Sequence, residues 1–263
     1  MVRYANLTAE SAGEVLWLRV NRPDSRNALS RATLAELAHA CSAHASEPAL
    51  KALVISGTGS RAFAAGGDLK ELSAVRTAEQ AGELFDLASD ALDQVRRFPL
   101  PVVAALNGPA LGGGAELALA CDFRVAASTA GVGFIQARLN ICSGFGGGAD
   151  LMQRLGSSGA LLHGLGGSVL DASAALAAGL VDAVAAEGEA LEQSVARFLA
   201  PILRQKSQVI RAYKAMAIAT RFGEPLRARR VVEREWFTRT WVHDDHWAAV
   251  EALGFDKPRA ERV

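Results

Sequence analysis

Two glycine-rich segments, each directly after a short apolar run, constrain the fold of this chain more than any other feature. The first is GTGSRAFAAGGDLKEL at residues 57–72, and the second is NGPALGGGAEL at residues 107–117. The runs before them, 50–56 and 101–106, have the length and β-branched content of buried strands. Glycine lets a ligand approach the backbone, and a helix start offers free N–H groups to an anion. The segments therefore predict strand–loop–helix units that bind a ligand through backbone N–H groups, with tight strand–helix packing as the alternative.

Strand and helix patterns alternate through the first half of the chain. Further strands are predicted at 14–20 and 122–127, where β-branched and other apolar residues cluster. Helices are predicted after Ser30, which can act as an N-cap, and at 84–95 and 115–120. This alternation is typical of an α/β core.

The remainder of the chain, from Gly148 onward, has mostly helical patterns, and no low-complexity linker or fixed repeat divides it. We therefore expect an α/β protein with a core at 1–200 and a helical C-terminal region at 201–263. Between 201 and 240, ten Lys or Arg accompany three Glu. That excess of positive charge indicates either a solvated helical face or a surface for an anionic ligand.

Composition excludes several classes of protein. The 263 residues include 28 Lys or Arg and 28 Asp or Glu, so no overall charge favours nucleic acid or a membrane surface. Cys41, Cys121 and Cys142 are too few and too scattered for a disulfide framework, which fits a reducing compartment. The first ten residues lack the pattern of a signal peptide, and apolar stretches are interrupted by Gly, Pro and Asn. We expect a cytoplasmic protein with no membrane segment.

Neither glycine segment matches a nucleotide-binding motif. No Gly-Lys-Ser/Thr follows at P-loop spacing, and the glycines at 112–114 lack the GxGxxG spacing of a dinucleotide site. No cluster of His, Cys and acidic residues has metal-ligand spacing, so no metal is expected. His163, His243 and His246 could act as acids, although isolated histidines are more often packing or surface residues.

Three motifs carry a resemblance to a known family. NRPDSRNALS, AFAAGGDLKEL and NGPALGGGAELALACDFRVA resemble, in order and spacing, signatures of the crotonase superfamily of enoyl-CoA hydratases and isomerases. GLVDAV and the later FDKP resemble further landmarks, so the likeness covers nearly the whole chain. It implies a crotonase-like spiral of ββα units in the α/β core. It also implies that 201–263 serves trimerisation and covers the active site, in a trimer or in two stacked trimers.

The same resemblance implies an oxyanion hole made of two backbone N–H groups, those of Gly67 and Gly113. Two preorganised donors would stabilise the enolate of a coenzyme A thioester, and losing one such donor typically costs about 3 kcal/mol in the barrier. Glu116 matches one of the two acid–base glutamates of the family's hydratases. The second glutamate is matched by Gln136, and no Asp or Glu occurs between Asp122 and Asp150.

Gln136 leaves the type of reaction open. Glutamine can orient a water but neither gives nor takes a proton near neutral pH. Hydration, double-bond isomerisation with Glu116 as a single proton shuttle, and decarboxylation all remain possible. EREWFTRTWVHDDHWAAVEAL is similar to the ethylmalonyl-CoA decarboxylase branch of the family. The alternative from another class is a non-catalytic acyl-CoA or RNA-binding module with the same fold.

The resemblance also implies where coenzyme A binds, as part of the substrate and without a separate cofactor. Arg26 and Lys70 are expected near its nucleotide, and Lys257 near its phosphates. The backbone of Ala64, Ala65 and Gly66 is expected to face the adenine. Asp68 is expected to tie the first glycine segment rather than to react. Apolar candidates for the acyl pocket are Phe85, Leu139, Phe145 and Trp236.

Overall fold

The computed structural model describes residues 3–253, which form two compact units divided between Pro201 and Ile202. The strands of the first unit are β1 (Leu7–Ala12), β2 (Val15–Val20), β3 (Ala52–Gly57), β4 (Val102–Leu106), β5 (Ala110–Leu111), β6 (Phe123–Ala126), β7 (Gly131–Gly133), β8 (Leu170–Asp171) and β9 (Ala183–Val184). Its helices are α1 (Arg31–His44), α2 (Leu69–Leu72), α3 (Ala78–Arg96), α4 (Gly113–Ala120), α5 (Gly147–Gly166) and α6 (Ala172–Ala177), with 3₁₀ helices at Pro23–Ser25 and Gln136–Leu139. Helix α7 (Leu191–Leu203) crosses the division, and α8 (Ser207–Arg221), α9 (Leu226–Trp241) and α10 (Asp244–Ala252) follow it.

The main sheet has six strands in the order β1-β2-β3-β4-β6-β9. Strands β1 and β2 pair antiparallel, whereas every later neighbouring pair is parallel. All residues of β3 and β4 are buried, as is usual for parallel strands covered on both faces. Because β3 and β4 run parallel, the two glycine segments leave the same edge of the sheet. A second sheet, β5-β7-β8, begins within the second segment, where β5 lies, and takes its other two strands from later in the chain.

The predicted strands and helices of the core are confirmed. The strands that the sequence did not predict have weak patterns. The strands predicted at 50–56 and 101–106 correspond to β3 and β4, and the helix predicted at 84–95 is part of α3. Strand β1 is not predicted, because only Leu7 of its six residues is buried and its polar residues face solvent. This strand lies at the edge of the sheet and is held there by its ladder with β2.

Capping and packing explain where the first long helices begin. The Ser30 side chain accepts a hydrogen bond from the Thr33 N–H at 3.1 Å, which confirms the predicted cap of α1. Thr77 and Gln80 form a capping box at the start of α3. Helices α1 and α3 pack against each other. Both therefore have defined starts, and α3 leads back into β4.

The second unit is helical, and α8 packs against α9. Gln208, near the start of α8, donates to Asp245 of α10 at 2.9 Å, and Lys206 forms an ion pair with the same carboxylate at 2.7 Å. Trp241 contacts Phe237, His246 and Trp247 in an aromatic cluster. The role of this region in trimerisation stays a prediction. Across residues 3–253, no helix combines the length and apolar character that crossing a membrane requires.

Candidate active site

The two glycine segments lie side by side. The Leu111 N–H donates to the Ala64 carbonyl at 3.0 Å, and the Phe63 N–H donates to the Pro109 carbonyl at 3.1 Å. Gly114 packs so closely on the first segment that a Cβ there would overlap the Ala64 carbonyl oxygen. Glycine at this position is therefore required by close backbone approach, and the two segments form one surface.

The N–H groups of Gly67 and Gly113 are free of protein acceptors within the described part of the chain. The neighbours of Gly67 are fixed, because the Gly66 carbonyl accepts from Leu29 N and Asp68 N donates to the Leu29 carbonyl. Gly113 is the first residue of α4, where backbone N–H groups have no partner inside the helix. A Cβ on Gly66 would lie 3.8 Å from the Gly113 nitrogen, so the two glycine positions belong to adjacent backbone. This arrangement can bind an oxyanion.

Phe145 lies against both of these glycines and is 5% exposed. A Cβ on Gly67 would lie 3.3 Å from the Phe145 ring, and a Cβ on Gly113 would lie 2.6 Å from it. The ring therefore occupies the space into which a side chain on either glycine would project. Phe145 packs against both candidate glycines, and its place at an acyl pocket stays a prediction.

Glu116 is buried in the first turn of α4, with 1% of its surface exposed. Its carboxylate accepts five hydrogen bonds, and all the donors come from residues 136–147. The donors are Gln136 Nε2 at 2.7 Å, Ser143 Oγ at 2.6 Å, and the N–H groups of Gly144, Phe145 and Gly147 at 3.2, 2.9 and 2.8 Å. Glu116 therefore anchors the loop that carries Phe145. Its position close to Gln136 agrees with the pairing that the sequence suggested.

A cavity of about 570 Å³ opens beside Gln136 and Ser143, between the 3₁₀ helix and α5. Its apolar lining includes Phe134, Ile141, Leu151, Met152, Leu161 and Leu165, and its polar lining includes Gln136, Asn140, Cys142 and Ser143. Glu116 is not among the described residues that line it. Since Gln136 and Ser143 both contact the Glu116 carboxylate, these two side chains separate Glu116 from the cavity.

Of the other apolar candidates in the first unit, neither lines the cavity. Phe85 is exposed on α3, and Leu139 is exposed at the end of the 3₁₀ helix, next to the lining residue Asn140. Trp236 lies on α9 in the second unit. Sequence reasoning missed the α5 residues of the lining because exposed leucines on a helix give no signal of a cavity.

Two asparagines hold the first glycine segment in place. Asn27 is buried, and its amide donates to the Ala62 carbonyl at 2.8 Å. Asn107 accepts from the Gly57 N–H at 2.9 Å and also donates to the Ala62 carbonyl, at 3.1 Å. Asn27 belongs to the NRPDSRN turn and has a φ of +56°, a backbone conformation that Asn tolerates well. That turn chemistry was a signal in the sequence, whereas the role of Asn107 was not.

Asp68 is fixed by Arg22. The Arg22 guanidinium donates to the Asp68 carboxylate at 2.8 Å, and this hydrogen bond is the main reason that the pKa of Asp68 is lowered from its usual value. Asp68 also accepts from the Lys70 N–H at 3.2 Å and so caps α2. The carboxylate ties the first glycine segment to the NRPDSRN turn, as its expected structural role requires.

The ion pair between Arg22 and Asp68 should make stability depend on pH. Because the pKa of Asp68 is lower in the folded state, the stabilisation exists above the unfolded pKa of about 3.9 and is lost as pH falls through the folded pKa. We expect Asp68→Asn to reduce the free energy of unfolding by about 1 kcal/mol at neutral pH. Urea unfolding of both proteins should show this difference disappearing in acid. A difference that stays constant with pH would contradict the assignment.

Some of the residues expected to bind coenzyme A are brought together. The Arg26 carbonyl accepts from the Ala65 N–H at 3.1 Å, which places the NRPDSRN turn next to the first glycine segment. The side chains of Arg26 and Lys70 are exposed, so both can reach a ligand in solvent. Ala64 and Gly66 are buried, and Ala65 is half-buried. Lys257 lies outside the described residues.

A buried ion pair lies behind the loop that Glu116 anchors. Arg96 of α3 donates to Asp150 of α5 at 2.7 Å and to Asp93 at 2.6 Å. Burial of the guanidinium lowers the pKa of Arg96, but the two carboxylates raise it by more. The pair connects α3 to the first turn of α5 and so fixes the helix into which this loop leads. Sequence patterns did not indicate it, because 54 residues separate the partners.

Of the three candidate histidines, His163 lies in the first unit, and His243 and His246 lie in the second. His163 is half-buried on α5, His243 accepts from the Asp245 N–H at the start of α10, and His246 packs on Trp241. Within residues 3–253, no three His, Cys, Asp or Glu side chains are grouped closely enough to hold a metal ion.

Comparison with known proteins identifies the family. The sequence model of the enoyl-CoA hydratase/isomerase family matches residues 10–253. A crotonyl-CoA hydratase of Syntrophomonas wolfei is 36% identical over 214 residues, covering 81% of this chain and 82% of the relative. A 2,3-dehydroadipyl-CoA hydratase of Escherichia coli is 34% identical over 239 residues, covering 91% of each chain. The crystal structure of an enoyl-CoA hydratase from Bacillus anthracis superposes with a TM-score of 0.86 at 30% identity, covering 96% of this chain and 97% of that one.

This chain therefore belongs to the enoyl-CoA hydratase/isomerase family and has the crotonase fold. The members of this family are enzymes that act on coenzyme A thioesters, in agreement with the resemblance carried by the three motifs.

Proposed function

We propose that this enzyme binds an acyl-CoA thioester and stabilises its enolate with the N–H groups of Gly67 and Gly113. Two free backbone donors on adjacent glycine segments support this proposal. An enolate concentrates negative charge on the former carbonyl oxygen, and fixed donors in a water-poor site stabilise that charge without reorganising. From the resemblance to the family, we propose that Arg26, Lys70 and the backbone at 64–66 hold the coenzyme A, together with Lys257.

The contact between Gln136 and Glu116 decides which reaction we favour. The Gln136 amide donates a hydrogen bond to the Glu116 carboxylate at 2.7 Å. In the sequence, Gln136 matches the position of the second hydratase glutamate. An amide cannot act as an acid or a base near neutral pH, so this pair cannot activate water as two carboxylates do. One carboxylate suffices for double-bond isomerisation. In that reaction a single group removes a proton from C2 of a 3-enoyl-CoA and returns it to C4.

Ser143 provides the route for that proton. Its hydroxyl donates to Glu116 at 2.6 Å and also lines the cavity, whereas Glu116 is enclosed by its donors. A proton that leaves the substrate would pass to Ser143 as the Ser143 proton passes to Glu116. The reverse transfer would deliver it to C4, so no net proton is lost.

Decarboxylation is a second candidate, and the five hydrogen bonds to Glu116 favour it. A carboxylate with both oxygens occupied is a poor base until a donor leaves. Loss of carbon dioxide from an α-carboxyacyl-CoA needs no base, because the bond that breaks leaves its electron pair in the enolate. A proton donor is needed only afterwards, at the α-carbon.

Turnover of three substrates distinguishes these reactions. We expect the enzyme to isomerise 3-hexenoyl-CoA or to decarboxylate ethylmalonyl-CoA, and to hydrate crotonyl-CoA at least about 100-fold more slowly than its preferred reaction. Chromatography of the thioester products measures each rate. Fast hydration of crotonyl-CoA would overturn the role assigned to Gln136. Absence of all turnover, together with salt-sensitive RNA binding, would indicate the non-catalytic module instead.

A further inference from the structure

The cavity beside Gln136 and Ser143 has an uncharged lining. Among the described residues around its volume of about 570 Å³, none is Asp, Glu, Lys, Arg or His. This volume falls in the range of small-molecule sites, which are mostly apolar and contain a few placed polar groups. The polar groups Gln136 and Ser143 both contact Glu116, so part of the lining adjoins the candidate acid–base group.

Large apolar side chains of this lining are exposed to solvent. Met152, Leu161 and Leu165 of α5 are 46%, 50% and 74% exposed, and Ile141 of the preceding loop is 58% exposed. A cluster of exposed apolar residues around a concave surface usually marks a binding site. The position of this cluster beside the reacting groups points to a part of the substrate as its occupant.

We propose that this cavity binds the hydrocarbon tail of the acyl group and selects uncharged aliphatic acyl-CoAs over those that end in a second carboxylate. This inference rests on the proposed function, because it takes the reacting end of the acyl group to lie at Gln136 and Ser143. Each methylene buried in an apolar site strengthens binding by about fourfold. A terminal carboxylate would lose its water without gaining a cation or donor from the apolar lining on α5.

Binding of unreactive thioesters tests the cavity separately from catalysis. Calorimetry with acetyl-CoA, hexanoyl-CoA and adipyl-CoA compares tails that carry no reactive double bond, and the last two have equal numbers of acyl carbons. We expect hexanoyl-CoA to bind at least about tenfold more tightly than acetyl-CoA, because several methylenes become buried. Adipyl-CoA should bind no more tightly than acetyl-CoA. Equal affinities for all three would overturn the proposal.

Neighbouring leucines on α5 provide a matched pair of variants. Leu161 lines the cavity, whereas Leu162 is 69% exposed and does not line it. Leu161→Lys should weaken hexanoyl-CoA about tenfold and strengthen adipyl-CoA, since it removes apolar surface and adds a cation. Leu162→Lys should change neither affinity, and equal effects of the two variants would overturn the proposal. Tail-dependent binding without turnover would contradict only the proposed function. Turnover with affinities that do not depend on the tail would contradict only the cavity.

Discussion

Gly113→Pro should lower the kcat of the enzyme on its thioester substrate by about 100- to 1,000-fold while leaving most of the fold intact. Proline has no backbone N–H, so the variant loses one of the two donors assigned to the enolate oxygen. Gly113 is the first residue of α4, and proline is well tolerated at the first position of a helix. The loss should therefore appear in kcat more than in thermal stability, which differential scanning fluorimetry measures in parallel.

Gly113→Ala is the matched control for this variant. A Cβ at residue 113 would lie 2.6 Å from the Phe145 ring, so alanine and proline both introduce this collision, but alanine keeps the N–H. We expect the alanine variant to keep much more of its kcat than the proline variant. If both lose the same activity, displacement of Phe145 and not loss of the donor explains the effect. Phe145→Leu, combined with each substitution, would then relieve the collision and restore activity.

Local patterns were sufficient to predict the core of the fold. Buried strands such as β3 are continuous apolar runs, and the Ser30 cap is a short-range signal. The two glycine segments could be recognised because close backbone approach leaves only small residues, as at Gly114. Each of these features is determined by a few consecutive residues. The edge strand β1 is largely polar and could be found only through its pairing with β2.

The surroundings of the candidate site could not be predicted in the same way. Glu116 was recognised as a site residue, but the donors to its carboxylate lie 20 to 31 residues further along the chain. Phe145 was a candidate for the acyl pocket only as an apolar residue near a predicted loop, and that pattern does not reveal which side of the loop the ring occupies. Only the folded backbone places its ring beneath Gly67 and Gly113. Contacts of this kind depend on tertiary packing, which leaves no periodic pattern.

Gln136→Glu should convert the site toward hydration. The substitution places a second carboxylate beside Glu116, where the Gln136 amide now donates at 2.7 Å. Two carboxylates at this distance can share a proton, which gives the site the second acid–base group that hydration requires. We expect the rate of crotonyl-CoA hydration to rise by about 100-fold or more over the unmodified enzyme. The rate is followed by the loss of the enoyl thioester absorbance.

The same variant should become less stable at high pH, because two adjacent carboxylates resist losing both protons. Their mutual repulsion raises the carboxyl pKa in the folded state above its unfolded value. A raised folded pKa means that stability is retained at low pH and is lost as pH rises through the unfolded pKa of about 4.3 toward the folded one. Gln136→Met is the control, since it removes the amide without adding an acid. If the methionine variant hydrates crotonyl-CoA as fast as the glutamate variant, release of Glu116 from its amide donor accounts for the gain. If neither variant gains hydration, Glu116 does not act on water at all, and its five hydrogen bonds describe a structural anchor.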